Sequence, residues 1–504
     1  MTVVPPAPCL PWWDTRWRSR IRLSIDAGAV SSLSNGNWVS YTFNHAALVA
    51  AGAAKDDGRD LRIGYWNGVA YPPDPQGDGL VYRLDEATLW NTTNTTIWFL
   101  LNAPIAAGTT DFRHAIYFRN DLASARVGLG TEPVVLRKMQ TGPARINMGS
   151  PMTQVTISGV RMDRAFLVFQ TRHAGTRPAD VLVRAKIHST AGNNIGNQLQ
   201  FIRSTSSPSA PPVDIRWYVA DFVSGLRVQQ GEVDQALGTV DINQVVPPRT
   251  FVLWSKTPQM DDANWGPTDS VIVDIAGQTN LSIRSDGTEP MHTIAWQTVF
   301  LVDEGFVQRA PTSALAPGAS YTNVTLQDPV NRKTSFAHGT FRTPGGGLDV
   351  GSRMLLFALE TDTRIGIRRG YGGDDDLSEI AWQVVDFGNP MVSIQEVPVT
   401  FGSTGYKAVT PLPVTSVDPT RTIALASGVT GSGQNGGSTP ASGGGAPGVC
   451  SATFEVMTSQ VVADRSLEGA TCNLATYVIE FPRIGTARAI GGTETSPGPS
   501  CTGT

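Results

Sequence analysis

Ile215-Arg216-Trp217-Tyr218-Val219-Ala220-Asp221-Phe222 returns further along the chain as Ile294-Ala295-Trp296-Gln297-Thr298-Val299-Phe300. It returns again as Ile380-Ala381-Trp382-Gln383-Val384-Val385-Asp386-Phe387. Leu474-Ala475-Thr476-Tyr477-Val478-Ile479-Glu480-Phe481 is a weaker fourth copy. The copies stand roughly 80–95 residues apart, which marks an internal repeat. Each is rich in β-branched and aromatic residues, the composition of a strand. The last interval is the longest because it holds a Gly/Ser-rich stretch, 431–448, that cannot build a core.

Other segments keep step with these strands. A strand-opening motif reads Pro247-Pro248-Arg249-Thr250-Phe251 and Asp418-Pro419-Thr420-Arg421-Thr422-Ile423. Looser forms are Asp163-Arg164-Ala165-Phe166 and Asn331-Arg332-Lys333-Thr334-Ser335-Phe336. A middle strand alternates apolar and polar residues at Leu199/Phe201, Leu281/Ile283 and Ile365/Ile367, so one face is buried and one is wet. Val181, Val183, Ala185 and Ile187 predict another such strand. A short strand, Val228-Gln229-Gln230-Gly231 or Val307-Gln308-Arg309-Ala310, follows the first two Trp strands.

The expected fold is all-β. An arm over 1–11 leads into a jelly-roll-like β-domain over 12–148. Four tandem β-sandwich repeats follow over 153–236, 237–315, 320–402 and 410–490, the last carrying the 431–448 insertion, and 491–504 forms a tail. A unit of ~80 residues is marginal alone. Trp217, Trp296, Trp382 and, in the fourth copy, Tyr477 are expected to be core anchors, each Trp supplying at most ~4–6 kcal/mol of burial. Trp296→Ala is then expected to unfold mainly its own repeat.

Composition narrows the function. The 504 residues carry a net charge of −4, with 39 basic and 43 acidic side chains. Charged residues make up only 16%, and no basic excess marks a nucleic-acid binder. No apolar run is long enough for a membrane helix, so no membrane insertion is expected. The start of the chain has neither the basic nor the apolar region of a secretory signal. Of the four cysteines, Cys450 and Cys472 are candidates for a disulfide, and Cys9 and Cys501 lie near the ends.

The stretch Trp12-Trp13-Asp14-Thr15-Arg16-Trp17-Arg18-Ser19-Arg20-Ile21, the strand Asp60-Leu61-Arg62-Ile63 and the closing strand Ile116-Tyr117-Phe118-Arg119-Asn120 belong together. Together they resemble a domain family of unknown function found near the start of many secreted bacterial and archaeal proteins. Members close with an Ile-Tyr-x-Tyr-Tyr-Gly-Asn-like strand, whose Gly is missing here. The resemblance covers roughly 110 residues. It implies a lectin-like jelly roll and carries no catalytic residues to transfer. The tandem repeats also resemble those of virion appendage proteins.

No motif selects a catalytic set or cofactor. The six histidines are scattered, and HExxH, GxSxG and a phosphate-binding glycine loop are all absent from the sequence. Catalytic and cofactor-binding residues are therefore expected to be none. Asp374, Asp375 and Asp376 form the one dense acidic run and are weak candidates for Ca²⁺; Asp261-Asp262 with Asp269 are weaker. Arg203, Arg284 and Arg368, after the middle strands, suggest a basic stripe or charged edges that discourage pairing.

The sequence thus predicts a non-enzymatic structural or adhesion protein of a virion, such as a phage tail, fibre or capsid-attached component. The alternative is a secreted bacterial cell-surface adhesin or carbohydrate-binding protein. Expected partners are other copies, further structural proteins of an assembly and a host-surface glycan or protein. The expected location is the virion or the extracellular surface.

Overall fold

The computed structural model describes residues 10–28, 32–71, 79–85, 88–123, 134–205, 207–259, 262–263, 265–287, 291–302, 305–309, 313–343, 354–370, 377–388, 392–432, 447–482 and 484–495. The chain is all-β, with two short helices, α1 (His45–Ala50) and α2 (Pro178–Val181), among the described residues. It divides into two compact units: residues 1–135 with 482–504, and Leu136–Phe481.

Unit 1 contributes β1 (Ser19–Asp26), β2 (Trp38–Phe43), β3 (Arg62–Tyr65), β4 (Tyr82–Leu84), β5 (Thr95–Leu100) and β6 (Thr110–Phe118). Unit 2 begins with β7 (Val135–Ile146), β8 (Met152–Arg161), β9 (Ala165–His173), β10 (Arg184–His188), β11 (Ile195–Ile202) and β12 (Val213–Ser224). These make sandwich 1, from the sheets β7-β12-β9 and β10-β11-β8. Sandwich 2 has β13 (Leu226–Asp234), β14 (Thr239–Asp241), β15 (Thr250–Pro258), β16 (Ile272–Ile275), β17 (Asn280–Arg284) and β18 (His292–Leu301). Sandwich 3 has β19 (Phe306–Gln308), β20 (Ser313–Leu315), β21 (Tyr321–Thr325), β22 (Ser335–Arg342), β23 (Leu355–Thr361), β24 (Arg364–Arg369) and β25 (Leu377–Asp386). Sandwich 4 has β26 (Ser393–Phe401), β27 (Lys407–Pro411), β28 (Thr422–Ser432), β29 (Ala452–Val456), β30 (Gln460–Arg465) and β31 (Thr471–Glu480), and β32 (Gly485–Thr495) follows.

All four sandwiches share one plan: the first, sixth and third strands pair in one sheet, the second, fifth and fourth in the other. In sandwich 3 the first strand is split into β19 and β20. The plan shifts the expected boundaries by one strand. Val228-Gln229-Gln230-Gly231 pairs with the Trp strand of the following repeat, Gly231 opposite Trp296, so it opens sandwich 2 rather than closing sandwich 1. Val181, expected in a strand, lies in α2 because Pro178 starts a helical turn.

Recurring side chains explain the sequence motifs. A glutamine on each first strand clamps backbone within or just beyond its second strand, its side-chain amide both donating and accepting. The pairs are Gln140 with Ser158, Gln229 with Asn243, Gln308 with Asp328, and Gln395 with Thr415 and Val414. This ties the open edges of the two sheets together. Arg164 and Arg249 of the strand-opening motif donate to Leu226 O and Val302 O at 2.8 and 2.6 Å, and Arg421 donates to Phe481 O. A glycine on the first strand, Gly142 or Gly231, lies under the Trp ring of sandwiches 1 and 2: a Cβ on Gly231 would sit 2.7 Å from Trp296.

Trp217, Trp296 and Trp382 are buried, at 6%, 8% and 3% exposure. Tyr477 is buried too but does not occupy the Trp position. The third strand pairs Phe166, Phe251 and Phe336 with the residue three past each Trp. In sandwich 4 the same pairing is Ile423 with Ile479, three past Thr476. Tyr477 therefore matches Tyr218, Gln297 and Gln383, which face outward from their own sandwich.

Those four residues close unit 2 into a cycle. Gln297 exchanges two hydrogen bonds with Leu167 of sandwich 1, at 2.8 and 2.9 Å. Gln383 accepts from Val252 N and donates to Asp274 in sandwich 2. Tyr477 accepts from Leu359 N in sandwich 3, and the Tyr218 hydroxyl donates to Phe454 O in sandwich 4 at 2.8 Å. At the centre, Phe166, Phe222, Phe481, Phe387, Phe336 and Phe251 contact one another in a closed circuit, with centroids 5.0–6.4 Å apart. All six are at most 2% exposed. The repeats are thus not independent modules, because they share a core where they meet.

Unit 1 forms a seven-stranded sheet, β3-β6-β1-β32-β2-β5-β4. Its seventh strand is the far end of the chain: β32 runs antiparallel to β1 and parallel to β2. The expected N-terminal domain therefore ends near 135 instead of 148. Residues 491–495, expected in a tail, complete a sheet.

Candidate functional site

The motif residues of unit 1 converge on one buried node. The Trp17 indole donates to Asp60 O at 2.9 Å, and the Asp60 carboxylate accepts from Lys55 N and Arg119 N at 3.0 and 2.9 Å. Arg62 lies 5.5 Å from the Trp17 ring centre. Arg119 stands where the resembled family has Gly, and it takes a left-handed φ of 65°. These contacts tie the motif residues of unit 1 together.

Beside the node lies a cavity of about 290 Å³ walled by Trp13, Tyr65, Tyr71 and Leu80, with Asn35 and Asn102 at its exposed rim. Tyr71 is fixed by hydrogen bonds to Pro11 O and the Tyr117 hydroxyl, and burial raises its pKa. Part-buried aromatic faces with amides beside them suit a ring that presents both apolar and hydroxylated faces.

In unit 2 the third strands of all four sandwiches line a central pit of about 290 Å³. Its ionisable lining residue is His338, whose pKa burial pushes down to about 4, helped by nearby Arg309. The serines at the pit are engaged: Ser255 accepts from Ala185 N, and Ser427 donates to Phe357 O at 2.6 Å. The pit therefore sets one imidazole of lowered basicity among apolar side chains and hydrogen-bonded serines.

The expected metal candidates divide. Asp374, Asp375, Asp376 and Asp261 lie outside the described residues. Asp262 and Asp269 do come together, joined by His292, with ligand atoms within 4.8 Å of one another. Lys256 reaches the same place: it donates to Asp269 O, and burial lowers its pKa to about 8 against the pull of Asp269 and Asp262. Gln235 accepts from His292 N and donates to Ser285 at 2.6 Å.

The position of Ser285 explains this knot. Two residues past the buried pair of each fifth strand, sandwiches 1, 3 and 4 carry Arg203, Arg369 and Arg465, all at most 3% exposed. Each donates to loop carbonyls, including Ser150 O and Asp180 O for Arg203, Ala319 O and Ala316 O for Arg369, and Gly405 O and Ala470 O for Arg465. Sandwich 2 has Ser285 there, and Lys256 with its partners fills the end instead. The Lys256 ammonium offsets part of the charge of the two carboxylates, and its bond to the Asp269 carbonyl makes it part of the cluster.

The expected basic stripe does not form. Arg203 is buried, Arg284 pairs with Glu379 of sandwich 3, and Arg368 pairs with Glu360. Cys450 and Cys472 are bonded, as their shared segment suggested; Cys9 and Cys501 lie outside the described residues. Sequence reasoning missed the cross-ties at Tyr218, Gln297, Gln383 and Tyr477. Their signal was the polar or hydroxylated residue directly after each Trp position. No helix among the described residues is long and apolar enough to cross a membrane. No protein-family model matches this sequence, and no curated protein matches it.

Proposed function

We propose that the protein is a non-enzymatic structural and adhesive component of an extracellular particle, a phage or phage-like virion being the first candidate. The observation that carries this reading is the cycle of four sandwiches, where buried polar groups are spent on ties between repeats. Such a block offers many outer edges and loops for contact with other copies and further structural proteins. The Cys450–Cys472 bond supports a working place outside a reducing cytosol. Mass spectrometry and labelled electron microscopy of purified particles test it. Stoichiometric presence in the particle is expected, and a protein confined to the soluble cytosol contradicts it.

A second reading, a surface adhesin or carbohydrate-binding protein, rests on the aromatic cavity of unit 1. Under it, glycan-array binding disappears in Trp13→Ala, and no glycan signal from the parent protein removes it.

A further inference from the structure

The strand β32 is bound in an unusual way for the middle of a sheet. It separates β1 from β2, and no β1–β2 pairing occurs among the described residues. Yet it gives the unit 1 core little beyond Ala487, the one β32 residue in that cluster. Most of its other side chains face solvent. What holds it is backbone pairing, seven residue pairs with β1 and two with β2, plus one acidic anchor. Glu494 accepts from Arg20 at 2.6 Å and meets Arg22 at 2.8 Å.

The slot is also selective. A Cβ on Gly485 would lie 2.8 Å from Leu33 Cδ1 and 3.0 Å from Val39 Cγ2. The next inward position is Ala487, buried at 5%. The slot thus takes an extended peptide with small residues at alternate positions and a carboxylate further along. Binding through main-chain bonds with few side-chain pockets is the mode by which one chain adds a strand to another.

We propose that the gap between β1 and β2 is a strand-acceptor site whose occupant can also be residues 485–495 of a second copy of this chain. The segment joining unit 2 to β32 is short: Phe481 ends one unit and Gly485 starts the strand. Short connections favour exchange of a terminal element between copies. Donation to a neighbour links copies without any new surface. The proposal extends the reading of the protein as an assembly component, but its test reads strand position alone, so a negative result removes exchange and leaves particle membership standing.

The test uses full-length chains with Cys9 and Cys501 replaced by serine. Ser24 and Arg488 are paired across β1 and β32. The double variant S24C/R488C closes a disulfide within one chain and so verifies the register. The single variants S24C and R488C are then mixed, partly unfolded, refolded together at high concentration and oxidised. The expected result is a covalent S24C–R488C pair on a non-reducing gel, absent from either variant alone. A mixture that stays monomeric, while the double variant closes its own bond, overturns the proposal.

Discussion

In residues 136–481 one six-strand plan is written four times, and strands pair within their own repeat except where β23 of sandwich 3 meets β28 of sandwich 4 through Leu356 and Gly428. In the N-terminal sheet, by contrast, Ser24 faces Arg488, 464 residues away. Unit 2 gains its unity from ties between finished sandwiches and from six phenylalanines at the centre. Unit 1 gains it from one strand with little apolar grip. The lesson is that closure can rest on side-chain burial or on backbone pairing, and the two fail differently.

The largest expected effect separates them. A chain ending at Phe481 loses the central strand of the unit 1 sheet. Hydrogen exchange is expected to show loss of protection across β1–β6 while unit 2 keeps its own. Protection retained in β1 and β2 would mean that β32 is dispensable.

Phe336→Ala attacks the other mode of closure. Its ring contacts Phe251, Phe387 and Tyr477, and deleting a buried Phe costs ~3–5 kcal/mol. Exchange is expected to quicken in all four sandwiches, whereas loss limited to sandwich 3 would restore the picture of independent repeats.

Replacing Cys450 and Cys472 by alanine, which frees a 22-residue separation, is expected to lower unit 2 stability by about 3 kcal/mol in denaturant melts. Unit 1 should melt unchanged.

Acid should act on unit 2 through His173, whose pKa burial lowers to about 4. The unfolded imidazole titrates near 6.5, so the folded form refuses a proton that the unfolded chain accepts. Stability from this residue is complete above about 6.5 and falls away toward pH 4, by roughly 3 kcal/mol at most. Asp221 opposes it, since burial raises its carboxyl to about 6 and acid relieves that cost. Melts of the parent and His173→Asn from pH 7 to 4 isolate the histidine. Parallel pH profiles would contradict its role.

The smallest change belongs to unit 1. Arg119 is exposed and left-handed, so Arg119→Gly removes a steric cost of ~1 kcal/mol and should raise the melting point slightly. A lowered melting point would mean that the Arg side chain contributes more than its backbone costs.

Much of unit 2 was legible because alternation is local. Leu199/Phe201 and Ile365/Ile367 announce a half-buried strand without knowledge of their neighbours, and all four are buried. The boundary between repeats was not, since Val228-Gln229-Gln230-Gly231 reads as a strand equally well in either sandwich. Tyr477 was misplaced because an aromatic residue was matched with Trp by type, while the strand register matches Thr476. The cycle, the buried arginines and β32 depend on contacts across long separations, for which a local pattern carries no signal. At the candidate sites, the sequence named Asp262 and Asp269 but not Lys256, which the fold brings beside them.

The cycle is the central claim, and its closing contact tests it most directly. Arg216 of sandwich 1 and Glu455 of sandwich 4 lie 3.0 Å apart. Spin labels on R216C/E455C, in a chain whose Cys9 and Cys501 are serine, are expected to report one short, narrow distance. A long, broad distribution would show that the first and last sandwiches do not meet.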